Sequence, residues 1–364
     1  MKINSSHLSD LALGSVFLAT GGGGDPYIPE LIARAAIDKY GPVHLLKPDE
    51  LSDDAYIVTV GGVGAPTVSL ELLPSLNEAS NTLVAFEKHV NQSIDAVVSF
   101  EIGGGNSLIP IIAAAVKGVP VIDGDGMGRA LPEAQMMTYA IAGVKPTPAI
   151  AYDYAGNVKA FDCNTTEEYE VVIRQHAIQS GGMITTAEHP MTGKQLKHAI
   201  IPETLSFSIR LGKLLREHRG PADSIAKYLS ELFKDSLYGE CRQLFSGKVI
   251  DKSTKIIGGY DIGEVGIEDF HHSNSKLKVS IKNEYLLAEL DGEIIASVPD
   301  LIVIVDFETS QPINAERLRF GQRVSVFAVG CPDFFRTEKA LRVVAPRCFG
   351  FDIDYVPLEE LLKS

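Results

Sequence analysis

The chain has 364 residues, of which 45% are hydrophobic and 22% are charged, and its net charge is -14. This is the composition of an ordinary globular protein, and it excludes collagen, coiled coil and disorder as descriptions of the whole chain. The excess of acidic residues argues against a nucleic-acid surface, which needs clustered lysine and arginine. A chain of this length favours two domains.

No two of the four cysteines form a C-x-x-C motif; they are Cys163, Cys241, Cys331 and Cys348. A disulfide framework or zinc ribbon is therefore not expected, and a reducing cytoplasm is the predicted location. The apolar stretch at 11–20 is too short to span a bilayer, and it lacks the basic start and cleavage site of a signal peptide. It predicts a buried helix and no membrane association.

The first half of the chain alternates helical and strand patterns. Helices are predicted over 8–19 and 27–40, and the second begins after Asp25 as N-cap and Pro26 at the first helical position. A short apolar strand, a glycine-rich loop and a helix then follow one another three times. The strands are predicted over 56–60, 96–100 and 119–122, and the helices over 77–90, 108–116 and 132–142. This repetition is typical of βαβ units around a parallel sheet.

The second half of the chain changes character. Two helices are predicted over 205–215 and 224–233, and short β-rich runs broken by turns follow from residue 244. Asp291-Gly292 between two apolar alternations is a strong hairpin signal. Strands this close together predict a small barrel or sandwich. We place the domain boundary near residue 162, which gives a first domain over 1–162 and a second over 163–364.

Glycine-rich loops follow the predicted parallel strands. Ligands of open parallel sheets bind outside the carboxyl ends of the strands, and glycine lets backbone amides approach a ligand closely. The alternative is that these glycines only make tight turns. A fourth glycine loop, at 21–24, follows a helix, so it lacks the position of a dinucleotide fingerprint, and it also lacks the Lys-Ser/Thr of a P-loop. No nucleotide cofactor is predicted.

The same loops carry candidate site residues. Glu101 ends an apolar strand, where a charged side chain is costly unless it is paired or functional, so it is a candidate catalytic group. Asp25 and Asn106 also have a simpler interpretation, because both fall where a helix N-cap is expected. The candidates for substrate binding in these loops are Gly22, Gly23, Asp25, Gly104 and Asn106.

The densest constellation of charged residues lies after the third strand. Asp123 and Asp125 stand two residues apart in a glycine loop, and Glu133 follows in the predicted helix, so the three carboxylates are candidate ligands of one magnesium or manganese ion. Alternatively, Arg129 binds substrate, or it pairs with one aspartate and leaves Asp125 as a general base. A purely structural Asp–Arg clamp is the third alternative.

The second half offers fewer candidates. Asn283 and Asp300 interrupt β runs and are predicted to line a substrate cleft between the domains, although turn chemistry explains both nearly as well. The adjacent pair His271-His272 is interpreted as surface, because neighbouring side chains on a strand face opposite ways. No GxSxG elbow is present, so a Ser-His-Asp triad is not indicated.

Several sequence blocks carry a family resemblance when they are taken together. They are GGGGDPY at 21–27, GAPTV at 64–68, EIGGGNS at 101–107, DGDGMGRA at 123–130, NE at 283–284 and PDLI at 299–302. Together they resemble the S-methyl thiohydantoin desulfurase family, which is associated with hydantoinase/oxoprolinase proteins, from about residue 11 to 355. The resemblance implies a three-layer αβα domain with a mainly parallel sheet and a β-barrel-like second domain. It also implies hydrolytic removal of a sulfur substituent from a small cyclic substrate.

The predicted chemistry is attack of water on the ring carbon that bears the S-methyl group, with release of methanethiol. Asp125 or Glu101 would activate the water, directly or through a divalent cation, and the glycine-loop amides and Asn106 would hold the ring carbonyl oxygen. Two alternatives remain open: hydrolysis of a plain hydantoin, and a non-catalytic subunit of a hydantoinase/oxoprolinase-type partner. A homo-oligomer is expected.

Overall fold

The computed structural model describes residues 1–270 and 275–363. The pair His271-His272, which the sequence analysis interprets as surface, lies outside the described residues. The helices are α1 (Ser5–Leu18), α2 (Tyr27–Tyr40), α3 (Glu78–Val90), α4 (Ile109–Lys117), α5 (Thr138–Ala142), α6 (Thr166–Gln179), α7 (Gly193–Ala199), α8 (Thr204–Glu217), α9 (Ala222–Lys234), α10 (Glu338–Val344) and α11 (Leu358–Leu361).

The strands fall into two sheets. Those of the first are β1 (Lys2–Ile3), β2 (Val43–Leu46), β3 (Tyr56–Gly64), β4 (Ala96–Ser99), β5 (Val121–Asp125), β6 (Ala149–Tyr152), β7 (Val158–Phe161), β8 (Met183–Thr192) and β9 (Ile201–Pro202). Those of the second are β10 (Cys241–Ile257), β11 (Tyr260–Asp269), β12 (Lys276–Lys282), β13 (Glu284–Leu290), β14 (Glu293–Ser297), β15 (Leu301–Asp306) and β16 (Arg323–Val329).

The first sheet has the order β1-β2-β5-β4-β3-β8-β6-β7, with β9 beside β5. Its four central strands, β2, β5, β4 and β3, are parallel, and antiparallel strands flank them. Of the central strands, β4 and β5 are buried on both faces, which explains why the sequence of β4 is a continuous apolar run that includes Val97 and Val98. Beyond residue 162 the chain first returns to this sheet as β8 and β9 and only then enters the second sheet.

The second sheet is entirely antiparallel, in the order β14-β13-β12-β11-β10-β16-β15, and it curls into a half-barrel around its own apolar core. The predicted hairpin turn is confirmed, since Leu290 pairs with Glu293 across Asp291-Gly292. The predicted fold class, an α/β domain with a mixed, mainly parallel sheet followed by a β-barrel-like domain, is likewise confirmed.

The apolar stretch near the N-terminus forms most of α1, which packs closely against α8. A Cβ atom on Gly14 would lie 1.9 Å from the carbonyl oxygen of Ser208, and one on Gly212 would lie 1.8 Å from that of Asp10. The two helices therefore touch backbone to backbone, which any larger side chain would prevent. Within the described ranges, no helix has the length and apolar character needed to cross a membrane.

The helix predicted over 132–142 is wrong. The segment forms a 3-10 turn at Ala134–Met136 and the short helix α5. The backbone N–H of Ala134 is donated to the carboxylate of Glu170 (2.9 Å), and that of Thr138 to the carbonyl of Gly126 (2.7 Å). These contacts with other parts of the chain replace the first hydrogen bonds of a continuous helix.

Candidate active site

The glycine loop between α1 and α2 lies between the two domains. The carbonyl of Thr20 accepts the N–H of Tyr285 from the second domain (2.7 Å). The carbonyl of Gly24 accepts the N–H of Gly105, which belongs to the loop after β4 (2.9 Å). The loop therefore joins the carboxyl ends of the parallel strands to the half-barrel.

Two of its glycines are required by close packing. A Cβ on Gly22 would lie 2.1 Å from Oε1 of Glu284, and one on Gly23, whose φ is +71°, would lie 2.4 Å from the carbonyl carbon of Gly103. Gly104 is required for the same reason, because its Cβ would lie 2.0 Å from the carbonyl oxygen of Gly24. The role that the structure gives these glycines is to let three segments approach one another.

A cavity of about 200 Å³ opens beside this loop. Its walls come from the loops after β3, β4 and β5, from α6 and β8, and from the start of β13. The predicted site residues in its lining are Gly23, Asp25, Glu101, Asn106, Glu133 and Asn283. The predicted residues that lie outside the lining are Gly22, Gly104, Asp123, Asp125, Arg129 and Asp300.

Glu101 is a buried carboxyl group at the edge of the cavity. Only 5% of the residue is exposed, and this burial raises its pKa to about 7, although hydrogen bonds from Asn106 and the backbone of Leu131 act in the opposite direction. A carboxyl with a pKa near neutrality exchanges protons readily at physiological pH. This property is what a general base requires.

Asn106 holds Glu101 in place. Its Nδ2 donates to Oε1 of Glu101 (2.8 Å) and to the carbonyl of Gly62 (3.2 Å), while its Oδ1 accepts the N–H of Gly62 (2.7 Å). The predicted N-cap role is wrong, because Asn106 lies in the 3-10 turn Gly104–Ser107 and the cap of α4 is Leu108. Its amide instead links the ends of β3 and β4 to the carboxyl group.

Glu284 is the functional candidate that the sequence analysis missed. It is 2% exposed and lines the cavity, and burial together with the charge of Glu101 raises its pKa well above the usual range. The preceding residue, Asn283, has a φ of +59° and accepts the N–H of Asp261 through Oδ1 (2.9 Å). The break in the β run at Asn283 therefore marks the place where the half-barrel presents Glu284 to the cavity.

Two buried carboxyl groups thus interact across the domain interface. Because like charges in one low-dielectric site do not ionise together easily, the charge of Glu101 adds to burial in raising the pKa of Glu284. A pair with separated pKa values supplies one proton acceptor and one proton donor at the same pH.

Asp25 lies at the cavity mouth. The N-cap of α2 is Pro26 and not Asp25, which corrects the prediction. Oδ1 of Asp25 accepts the N–H of Tyr27 (2.9 Å), and Oδ2 forms an ion pair with Nε of Arg317 from the second domain (2.7 Å). The residue therefore helps to close the loop against the half-barrel.

The three carboxylates predicted to share a metal ion have separate partners. Asp123 accepts the N–H of Ser206 (3.0 Å), Glu133 pairs with Lys282, and Oδ2 of Asp125 accepts three backbone N–H groups at 2.7 to 2.8 Å. Burial raises the pKa of Asp125 to about 7. Among residues 1–270 and 275–363, no group of three or more His, Cys, Asp or Glu is arranged to hold a metal ion. These three residues therefore do not fit a shared cation.

Arg129 is fully buried and joins the domains. Its five N–H groups donate to the carbonyls of Ala130, Pro299, Asp300 and Tyr285 and to the hydroxyl of Thr20, at 2.8 to 3.3 Å. A guanidinium has five N–H donors, so none is left for a ligand. The predicted role in substrate binding is corrected to an interdomain one.

Asp300 is also structural. Its carboxylate accepts hydrogen bonds from the N–H of Cys331 (2.8 Å), the hydroxyl of Tyr355 (2.9 Å) and the N–H of Leu358 (2.8 Å). It thereby fixes the C-terminal segment to the half-barrel. The predicted place of Asp300 in a substrate cleft is corrected accordingly.

A further carboxylate, Glu188, faces the cavity from β8. It is 1% exposed, and its Oε2 accepts the hydroxyls of Thr186 (2.9 Å) and Tyr169. The next residue, His189, has a φ of +48°, which is unusual for a residue with a side chain. No sequence pattern predicts a strand over 183–192, and no motif marks Glu188.

These observations define a two-domain α/β protein whose buried carboxyl pair lies in an interdomain cavity. The chain belongs to the S-Me-THD-like family: the N-terminal domain of that family matches residues 6–162 and the C-terminal domain matches residues 164–358. The suspected family is thereby confirmed.

A similar solved structure supports the fold alone. It is an X-ray crystal structure of a protein from Chromobacterium violaceum, from the Northeast Structural Genomics Consortium, and it is 23% identical to this chain with a TM-score of 0.80. The similarity covers 98% of this chain and 100% of that one. A comparison with curated proteins finds no match.

Proposed function

We propose that the protein hydrolyses a five-membered cyclic amide of the thiohydantoin class and removes a sulfur substituent from the ring. The observation that carries the proposal is the buried pair Glu101 and Glu284 in the cavity between the domains. The name of the family, S-Me-THD-like, supports the substrate class.

In the first step, water adds to the ring carbon that bears the S-methyl group. Glu101, as a carboxylate, takes one proton from the water while the new C–O bond forms. The electrons of the C=N bond move to the ring nitrogen, which takes the proton of Glu284. Asn106 keeps Glu101 oriented during this transfer through its 2.8 Å hydrogen bond.

In the second step, the C–S bond breaks and a C=O bond forms. The hydroxyl proton of the intermediate returns to Glu284, and the methanethiolate takes the proton that Glu101 holds. The products are a hydantoin and methanethiol, and both carboxyl groups regain their starting states. The reaction therefore consumes one water and needs no oxidant or reductant.

The test uses the isolated chain with an S-methyl thiohydantoin in water enriched in ¹⁸O. We expect methanethiol release with one ¹⁸O in the ring carbonyl, and a loss of at least about 100-fold in kcat for Glu101→Gln and Glu284→Gln. Glu316→Gln is the matched control, because Glu316 is equally buried but lies outside the cavity lining. Full activity of Glu101→Gln overturns the assignment of the base.

The alternative functions give different results in the same assay. Ring opening of a plain hydantoin without thiol release overturns the substrate and keeps the carboxyl pair. Binding without turnover, followed by activity only when a hydantoinase/oxoprolinase-type partner and ATP are added, overturns the proposal and favours the non-catalytic subunit.

A further inference from the structure

Apolar side chains lie directly beside the polar residue Asn106 in the lining of the cavity. A Cβ atom on Gly62 would lie 3.3 Å from Oδ1 of Asn106, 3.4 Å from the methyl group of Met183 and 3.5 Å from Cδ1 of Ile109. All three neighbours line the cavity. A ring bound beside Asn106 therefore has apolar side chains within van der Waals reach.

The segment 66–74 extends this apolar surface outward. It begins with the 3-10 turn Pro66–Leu70, and Leu72 and Leu73 then line the cavity. Leu73 is 62% exposed, so much of its apolar surface remains in contact with water. The N–H of Thr67 donates to the carboxylate of Asp261 in the half-barrel (3.0 Å), which fixes the segment over the cavity.

The charges in the lining disfavour an anionic ligand. Seven acidic side chains and two arginines line the cavity. Both arginines are already in ion pairs, Arg174 with Glu170 (2.8 Å) and Arg317 with Asp25 (2.7 Å). A carboxylate on the substrate would meet like charges without a new partner, which is costly in a partly desolvated site.

We infer that the substrate is a neutral ring whose C5 atom carries a large apolar substituent, such as an isobutyl or benzyl group, seated against Leu70, Leu72 and Met183. This inference rests on the proposed function for the ring and the reaction, and it adds the substituent. Burial of a group of this size raises kcat/KM about 10- to 100-fold over a substrate without it.

The test compares S-methyl thiohydantoins that differ only at C5. We expect the benzyl and isobutyl compounds to exceed the unsubstituted ring by at least about 10-fold in kcat/KM. A carboxymethyl compound should fall below its neutral carboxamide counterpart. Equal kcat/KM values across the series, or a preference for the carboxymethyl compound, overturn the inference while the proposed function stands.

Variants of the apolar wall connect the preference to these residues. Leu72→Ala and Met183→Ala are expected to lower the benzyl-to-unsubstituted ratio of kcat/KM at least about 5-fold. Leu76→Ala is the control, because Leu76 is 58% exposed near the same segment but lies outside the cavity lining. An unchanged ratio in both wall variants overturns the assignment.

Calorimetric binding of the hydantoin products provides a readout without turnover. Tighter binding of 5-benzylhydantoin than of hydantoin, with no compound hydrolysed, would overturn the proposed function and leave the apolar subsite in place. Equal binding of the two hydantoins overturns the subsite itself.

Discussion

Replacing Glu101 with glutamine is expected to stabilise the fold at alkaline pH while it abolishes turnover. Burial raises the pKa of this carboxyl from 4.5 to about 7. The folded state therefore holds a proton that the unfolded state has lost between those two pH values. Stability contributed by the protonated group is complete below pH 4.5 and is lost as the pH rises through 7.

The magnitude follows from the size of the shift. A pKa change from 4.5 to about 7, at about 1.4 kcal/mol per unit, makes ionised Glu101 cost about 3 kcal/mol above pH 8. Glutamine has no charge and avoids this cost. The glutamine loses one hydrogen bond, from Asn106 or Leu131, and this loss lowers the stability of the variant by about 1 kcal/mol. The variant should therefore be about 2 kcal/mol more stable than wild type at pH 8.5 and about as stable as wild type at pH 5.

Urea unfolding of both proteins at pH 5 and pH 8.5 measures this gain. Glu231→Gln is the control, because the side chain of Glu231 is 63% exposed and its replacement should change stability equally at both pH values. A Glu101→Gln variant whose difference from wild type does not change with pH would refute the raised pKa and, with it, the choice of this residue as base.

Three other substitutions test the surroundings of the carboxyl pair. Gly22→Ala should reduce kcat more than 10-fold, because its Cβ would lie 2.1 Å from Oε1 of Glu284. Gly220→Ala is the control and should keep wild-type kcat, because the atom nearest to its Cβ would be a side-chain oxygen at 3.3 Å. Asn106→Ala removes a donor that lowers the pKa of Glu101, the proposed base, so the acid limb of kcat/KM should move above pH 7 in a pH–rate profile. Arg129→Met should lower the free energy of unfolding by about 3 kcal/mol in urea titrations, because buried carbonyls lose their donors.

The sequence predicted the parts of the fold that depend on local pattern. Strand, glycine loop and helix in repeated order indicated the parallel centre of the first sheet, and Asp291-Gly292 indicated a hairpin. The antiparallel strand β8 was not predicted, because it comes from beyond residue 162 and its pairing with β3 depends on tertiary packing. The helix predicted over 132–142 is interrupted for the same reason, because the carboxylate of Glu170 in α6 accepts the N–H of Ala134.

In the candidate site, too, some residues can be predicted from local sequence pattern and others cannot. Glu101 is a candidate from the sequence because a charge at the end of an apolar strand is costly wherever the chain folds, and Asn106 is a candidate because it lies in the glycine loop that follows the same strand. Glu284 was missed because its importance arises only when the half-barrel docks on the loop after β4, and no spacing in the sequence records that contact. Arg129 and Asp300 were given the wrong roles for the same reason, since their partners are distant in sequence.

Arg129 also acts on the pKa values of the carboxyl pair. The guanidinium lines no part of the cavity, yet its positive charge lowers the pKa of both Glu101 and Glu284 and so opposes the effect of burial. Without that charge the pKa of both carboxyl groups would be higher. Because Arg129 donates to the carbonyl of Ala130 in the first domain and to those of Pro299 and Tyr285 in the second, docking of the half-barrel fixes the charge in place as well as bringing Glu284 to the cavity. The proposed acid–base pair would therefore be a property of the domain interface and of neither domain alone.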